Sequence, residues 1–135
     1  MSGSLQELRD ALADLLETGL DIPIARFGAN ANPPCIIVRS GNPYLTTSGY
    51  GTDHINFEVL LLVGRGSPEA QADTLDELID QVRFTLLDAS YEGYRFGFQS
   101  VDEVGIFNDK DQQIPATRVM VMTERQMQRD GSTTP

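Results

Sequence analysis

The chain has 135 residues, 40% of them hydrophobic and 22% charged, which predicts a single soluble globular domain. Ten lysines and arginines stand against 20 aspartates and glutamates, so the formal net charge of −10 argues against a protein that holds nucleic acid by attraction to phosphates. One cysteine excludes an internal disulfide, and the longest apolar run, Val59–Val63, is far shorter than the roughly 20 residues of a membrane-spanning helix.

The N-terminal segment predicts a helix from Leu5 to Thr18. Four carboxylates among the first 19 residues are incompatible with the apolar core of a signal peptide, so we expect a protein assembled in a cytoplasm and not attached to a membrane. Ser4 and Glu7 form a capping-box pattern, and Gly19 is expected to end the helix in the left-handed conformation. Apolar side chains recur at helical spacing: Leu5, Leu8, Leu12, Leu15 and Leu16.

Three strands are predicted in the first half of the chain, over Ile22–Phe27, Cys35–Arg39 and His54–Val63. Cys35 is interpreted as a small buried apolar group and not as a nucleophile. The third strand alternates and becomes apolar on both faces at its end, which is typical of a buried strand. One of its faces carries Ile55, Phe57, Val59, Leu61 and Val63.

Between the second and third strands, Ser40–Asp53 is predicted to be a long arm without secondary structure. It is rich in glycine, serine and threonine, and it also contains Tyr44, Leu45 and Tyr50. Connections of this length are uncommon in compact domains unless they are functional. Two tyrosines and a leucine fit poorly with disorder, so we expect the arm to become ordered against a partner.

A second helix is predicted from Pro68 to Asp88, with Ser67 as its N-cap. Carboxylates follow the side of this helix opposite its apolar stripe, at spacings of 4, 3 and 4 residues: Glu69, Asp73, Asp76 and Asp80. This acidic stripe has two interpretations. It is either a solvated helix face, or a surface that meets arginines of another subunit or borders a passage from which polyanions are repelled.

The C-terminal half predicts two further strands, Tyr94–Phe107 and Ile114–Thr123, with bulges at Gly97 and Gly105 in the first. The element order is then α-β-β-arm-β-α-β-β. It predicts an α+β fold in which two helices pack on one face of a mostly antiparallel sheet. Residues 1–125 are expected to form one domain, and residues 126–135 a disordered tail.

Groups that could support catalysis are few, and we expect neither an enzyme nor a cofactor or metal site. A single histidine and a single cysteine cannot supply the three or four ligands of a zinc site. Gly64 and Gly66 precede a helix as in a phosphate-binding loop, but Glu69 and Asp73 at that helix start would repel phosphate. The alternative from another functional class is a small α+β enzyme or ligand-binding domain whose pocket contains Tyr50, His54 and Glu58.

The order of elements resembles that of the tail terminator proteins of long-tailed bacteriophages, especially the actinobacterial type. The resemblance covers roughly residues 4–125 and rests on order and spacing. Its features are the opening helix, the Asn32–Pro34 turn, the Gly/Tyr arm, the stretch Leu61–Arg65 before a Ser-capped helix, and a closing strand like Ala116–Met122.

This resemblance implies a structural protein without catalytic activity. Such proteins close into a ring, commonly a hexamer, on the last ring of the tail tube, stop its polymerisation and face the head connector. The implied location is the virion, at the head–tail junction, after assembly in the host cytoplasm. The implied partners are further copies of the chain, the tail tube protein and a head connector or stopper protein.

The resemblance and the charge together suggest which residues meet those partners. An acidic ring would repel phosphates, so DNA would pass through it without specific binding. Subunit or partner contacts are expected at Tyr44, Leu45, Tyr50 and Arg65. The nearest alternative is another ring-forming connector component, such as a head-completion or stopper protein.

Overall fold

A computed structural model describes residues 3–20, 24–26, 35–49, 51–64, 67–102, 105–109 and 112–126. Within these ranges the helices are α1 (Leu5–Gly19) and α2 (Pro68–Asp88). The strands are β1 (Ile24–Arg26), β2 (Cys35–Ser48), β3 (Thr52–Leu62), β4 (Ser90–Tyr91), β5 (Tyr94–Arg95), β6 (Gly97–Val101), β7 (Gly105–Asp109) and β8 (Gln112–Gln126).

One six-stranded sheet carries the fold, in the order β1-β2-β3-β8, with β6 and β7 following each other along the far edge of β8. Strand β1 runs parallel to β2, and the other pairings are antiparallel. Strands β4 and β5 form a separate small hairpin. Both helices contribute to one core with side chains from a single face of the sheet, so the predicted α+β class is confirmed.

The main core lies between the helices and the sheet. The face of β3 that was predicted to be apolar is buried there, including Phe57, as are Val119 and Val121 of β8. A second, smaller cluster lies on the opposite face and contains Cys35, Ile37, Leu60, Leu62 and Ala116. Cys35 is therefore a buried apolar group as predicted, and the end of β3 is buried on both faces.

The prediction of an unstructured arm at Ser40–Asp53 was wrong. Strand β2 continues to Ser48 and β3 begins at Thr52, so most of the arm belongs to a long hairpin whose turn contains Gly49 at φ 70° and Gly51 at φ 80°. The pairing of β2 with β3 is irregular between Ser40 and Leu45. The hairpin does not project alone, because β8 pairs with the other edge of β3 as far as Thr52.

The C-terminal strands also differ from the prediction. The expected strand Tyr94–Phe107 is divided into β5, β6 and β7, and an irregularity lies between Phe98 and Ser100. Strand β8 extends beyond Ile114–Thr123 at both ends and closes with Gln126, whose side-chain oxygen accepts a hydrogen bond from the Thr52 hydroxyl at 3.3 Å. The remainder of the predicted tail, residues 127–135, lies outside the described residues.

Helix α1 begins as predicted, but Gly19 does not act as predicted. The Ser4 hydroxyl accepts a hydrogen bond from the Glu7 amide at 3.1 Å. Gly19 is still helical, and the C-cap is Leu20 at φ −123°, so no left-handed residue ends the helix. A Cβ on Gly19 would lie 2.5 Å from Thr85 Cγ2 of α2. The glycine therefore permits the close approach of the two helices.

Replacement of Gly19 by valine is expected to lower the free energy of unfolding by about 1–3 kcal/mol, because the added methyl groups overpack this contact. Urea denaturation of the two proteins measures the difference. Replacement of Thr85 by alanine in the same chain should restore part of the loss. If the Thr85→Ala change brings no recovery, the contact is not the reason for the glycine.

Candidate subunit interface

The four residues predicted to meet a partner do not share one environment. Tyr44 is partly buried and its ring packs edge-on against Phe57, with 5.9 Å between ring centroids and 71° between planes. Leu45, the next residue, is 39% exposed. Tyr50 and Arg65 lie outside the described residues. Tyr44 therefore anchors the hairpin to the core. Of the two described residues, Leu45 is the one whose side chain is exposed and can contact a partner.

The acidic stripe Glu69, Asp73, Asp76 and Asp80 is exposed along α2, as predicted. The buried side of the helix, which contains Leu75, Leu78, Val82 and Leu86, faces the core. The helix is capped by the Ser67 hydroxyl, which accepts a hydrogen bond from the Ala70 amide at 3.1 Å. The helix thus directs its carboxylates away from the core.

Two large apolar side chains extend this stripe toward the C-terminal end of α2. Phe84 is 77% exposed and Leu87 is 45% exposed. At 3.6 residues per turn, the side chains of these two residues and of Asp73, Asp76 and Asp80 fall within an arc of about 80°. We call these five residues the α2 ridge. The apolar half of the ridge was not predicted from the sequence, although Phe84 and Leu87 continue the spacing of 4 and 3 residues after Asp80.

A network of charges crosses the face of the sheet that points away from the helices. The Arg39 Nε atom donates to Glu58 Oε1 at 2.8 Å, and Arg118 Nη1 lies 3.4 Å from Glu58 Oε2. Arg118 Nε also donates to Asp102 Oδ2 at 2.6 Å. The Glu58 side chain is 7% exposed, whereas both arginines are nearly half exposed. The two cations and two anions neutralise one another on this face.

A second ion pair lies at the hairpin end of the sheet and is buried. Arg125 of β8 donates to Asp53 Oδ2 from Nη2 at 2.9 Å and from Nε at 3.2 Å. Its Nη1 atom donates to the Gly3 carbonyl at 2.9 Å. This side chain therefore joins the segment before α1, the base of the hairpin and the last strand. Asp53 was predicted to lie in the arm, and no role was predicted for Arg125.

The pocket of the enzyme alternative is not assembled. His54 and Glu58 lie on the same face of β3 but four residues apart, which corresponds to about 13 Å along a strand. The Glu58 carboxylate forms ion pairs with Arg39 and Arg118. The Nδ1 atom of His54 lies 3.9 Å from the Glu124 carboxylate. Tyr50 is outside the described residues. In the described part of the chain, no three metal-ligating side chains come together.

An open groove of about 290 Å³ lies beside the start of α1. Its lining includes Glu7, Asp10, Asp14 and Tyr91. The Tyr91 hydroxyl donates to Glu7 Oε2 at 2.5 Å. The Glu7 side chain of the capping box is thus hydrogen-bonded to a hydroxyl of β4. The hydrogen bond to Glu7 raises the pKa of Tyr91 well above its ordinary value, and Glu92 adds to the rise.

Replacement of Glu7 by glutamine is expected to lower the pKa of Tyr91 toward that of an ordinary tyrosine. The pKa is raised in the folded protein, so this contact contributes stability below the ordinary tyrosine pKa and loses it as the pH rises through the folded value. Phenolate absorbance during alkaline titration measures the change, and Tyr91→Phe identifies the contribution of Tyr91 among the four tyrosines. An unchanged titration curve in Glu7→Gln would contradict the assignment.

Neither of the described helices is both long enough and apolar enough to cross a membrane.

Comparison with known proteins relates the chain to a bacteriophage protein by fold. No protein-family model matches the sequence, and no curated protein matches it. Among solved structures, the gp17 protein of bacteriophage SPP1 is similar over 93% of this chain and 92% of its own, with a TM-score of 0.51 and 17% sequence identity. At this identity the likeness shows that the two chains share a fold.

Proposed function

We propose that the chain is a structural tail protein of a long-tailed bacteriophage and acts as its tail terminator. In this role, six copies of the chain form a ring on the last ring of the tail tube. The ring stops polymerisation of the tube and joins the tail to the head connector. The protein would act at the head–tail junction of the virion and would have no catalytic activity.

The fold shared with a bacteriophage protein over more than nine-tenths of both chains is the observation that carries this proposal. The order of elements gives independent support, because it resembles that of tail terminators, although the fold comparison does not indicate the actinobacterial type. The net charge of −10 also fits, since a DNA passage must not retain phosphates.

A head-completion or stopper protein is the nearest alternative within the same channel. Such a protein would also form a ring, and an acidic surface suits it equally. A small enzyme or ligand-binding domain has less support, because His54 and Glu58 do not converge and Glu58 is paired with two arginines.

Particles assembled without this protein separate the two connector roles. We expect a phage genome from which the coding sequence has been deleted to produce tails longer than those of the wild type, visible by negative-stain electron microscopy. Tails of normal length together with heads that lose their DNA would instead assign the protein as a stopper. Supply of the intact chain from a plasmid is the control, and it should restore the normal tail length.

A further inference from the structure

The α2 ridge presents a surface that is better suited to protein contact than to a DNA passage. Phe84 and Leu87 are the most exposed large apolar side chains of the described residues. They lie on one side of one helix, next to the carboxylates of the ridge. Clustered exposed apolar side chains commonly mark contacts with another protein. The charge of the ridge implies that its partner surface carries a cation beside apolar groups.

Strand β8 provides such a surface on the opposite side of the molecule. Arg118, Met120 and Met122 alternate along the face that points away from the helices. Arg118 is 45% exposed, and both methionines are partly exposed. Arg118 donates hydrogen bonds to Asp102 and Glu58, and its Nη2 atom forms a further ion-pair contact with Asp102. Because a guanidinium has five N–H groups, this half-exposed side chain can still donate to another carboxylate. Methionine side chains adapt readily to an incoming apolar group.

The neighbouring strand leaves this row of β8 accessible. Gly97 of β6 pairs with Met122, and Ser100 pairs with Met120. A glycine and a serine are too small to cover the methionines from that side. The side chain that lies over Gly97 is that of the exposed Gln99, whose amide nitrogen is 3.3 Å from where a Cβ on Gly97 would be. The side chains of Arg118, Met120 and Met122 are therefore accessible from the β6 side of the sheet. We call these three residues the β8 row.

The spacing of groups along the α2 ridge matches that along the β8 row. On the helix, Phe84 and Leu87 follow Asp80 by about 6 and 10.5 Å of axial rise. On the strand, Met120 and Met122 follow Arg118 by about 7 and 13 Å. The ridge has a carboxylate followed by two apolar side chains, and the β8 row has a guanidinium followed by two apolar side chains. The two surfaces therefore match in both charge and hydrophobicity.

We propose that the α2 ridge of one copy docks on the β8 row of the next copy. Asp80 would pair with Arg118, and Phe84 and Leu87 would cover the two methionines. The two surfaces lie on opposite sides of a two-layer fold, so one contact leaves both molecules with a free surface for another neighbour. Such head-to-tail contacts produce a ring when the rotation closes. This inference rests on the proposed ring and names its subunit contact.

Variants that block one surface each provide the test. Phe84→Arg replaces the larger and more exposed of the two apolar side chains of the ridge. Ser100→Arg places a long charged side chain beside the β8 row, also at an exposed position. Gln81→Arg on α2 and Ser48→Arg on β2, two strands away from β8, are matched controls at exposed positions outside the two surfaces. Circular dichroism and urea denaturation establish that all four variants fold.

Phe84→Arg and Ser100→Arg, each tested alone, should sediment at the monomer mass of 14.9 kDa under conditions in which the wild type forms a ring. An equimolar mixture of the two should sediment at twice that mass, because only one intact surface remains on each copy. Both controls should assemble as the wild type does.

Two outcomes would overturn the inference without affecting the proposed function: a ring formed by either Phe84→Arg or Ser100→Arg, or dimers formed by either variant alone. A wild-type chain that stays monomeric at every concentration would contradict the ring itself and therefore the proposed function as well.

Discussion

Replacement of Arg125 by alanine is expected to lower the free energy of unfolding by about 3–5 kcal/mol, because it leaves the buried Asp53 carboxylate without its counterion. It also removes the hydrogen bond to the Gly3 carbonyl. A loss of this size is a large part of the 5–15 kcal/mol that is typical of a whole domain. Urea denaturation followed by circular dichroism measures it.

A half-exposed arginine of the sheet provides the matched control. Arg39→Ala should cost only about 0–1 kcal/mol, since Arg39 is half exposed and the buried Glu58 carboxylate keeps Arg118 as a counterion at 3.4 Å. The double variant Arg125→Met with Asp53→Leu should be less destabilised than the sum of the two single variants, because no unpaired charge then remains buried. If Arg125→Ala and Arg39→Ala lower the free energy of unfolding equally, the loss in Arg125→Ala does not come from leaving the buried Asp53 carboxylate without a counterion.

Replacement of Phe57 by alanine is expected to cost about 3–5 kcal/mol. The Phe57 ring is completely buried between the hairpin and the rest of the core, so its removal leaves a cavity. Its ring centroid lies 5.9 Å from that of Tyr44 and 6.2 Å from that of Phe96. The same denaturation measurement applies, with the exposed Leu45→Ala as the control and an expected loss below about 1 kcal/mol.

A double-mutant cycle tests whether Tyr44 holds the hairpin through Phe57. The coupling between Tyr44→Ala and Phe57→Ala should be about 0.5–1.5 kcal/mol, the range found for edge-to-face aromatic pairs. Strict additivity would mean that Tyr44 makes no specific contact there. It would then be available for the partner contact that the sequence analysis assigned to it.

Local signals in the sequence were sufficient for the helices and for the class of the fold. The hydroxyls of Ser4 and Ser67 accept hydrogen bonds from backbone amides at the helix starts, as their positions indicated. The alternation of β3 identified its buried face. These features depend on neighbours in the chain, so periodicity and capping patterns predict them.

Features that depend on distant residues were not predictable in the same way. Gly19 is a glycine because of Thr85 on another helix, not because of the turn that follows it. The hairpin was mistaken for an arm because its composition is typical of a loop, whereas its pairing with β3 and the support of β8 come from the tertiary structure. The pairing of Asp53 with Arg125 spans 72 residues and has no local signal.

The candidate interface was predicted in part for a similar reason. The carboxylates of α2 were identified from their spacing, but Phe84 and Leu87 were not recognised as part of the same surface. An apolar residue in an amphipathic helix is usually assigned to the core, and only the exposed fractions of 77% and 45% place these two outside it.

Imaging of the purified chain, together with its mass in solution, shows whether copies of the chain form a ring. We expect particles with a central hole in negative-stain electron micrographs, and a mass by analytical ultracentrifugation of six times 14.9 kDa. A single species of 14.9 kDa at every concentration, with no ring in the images, would contradict the proposed ring.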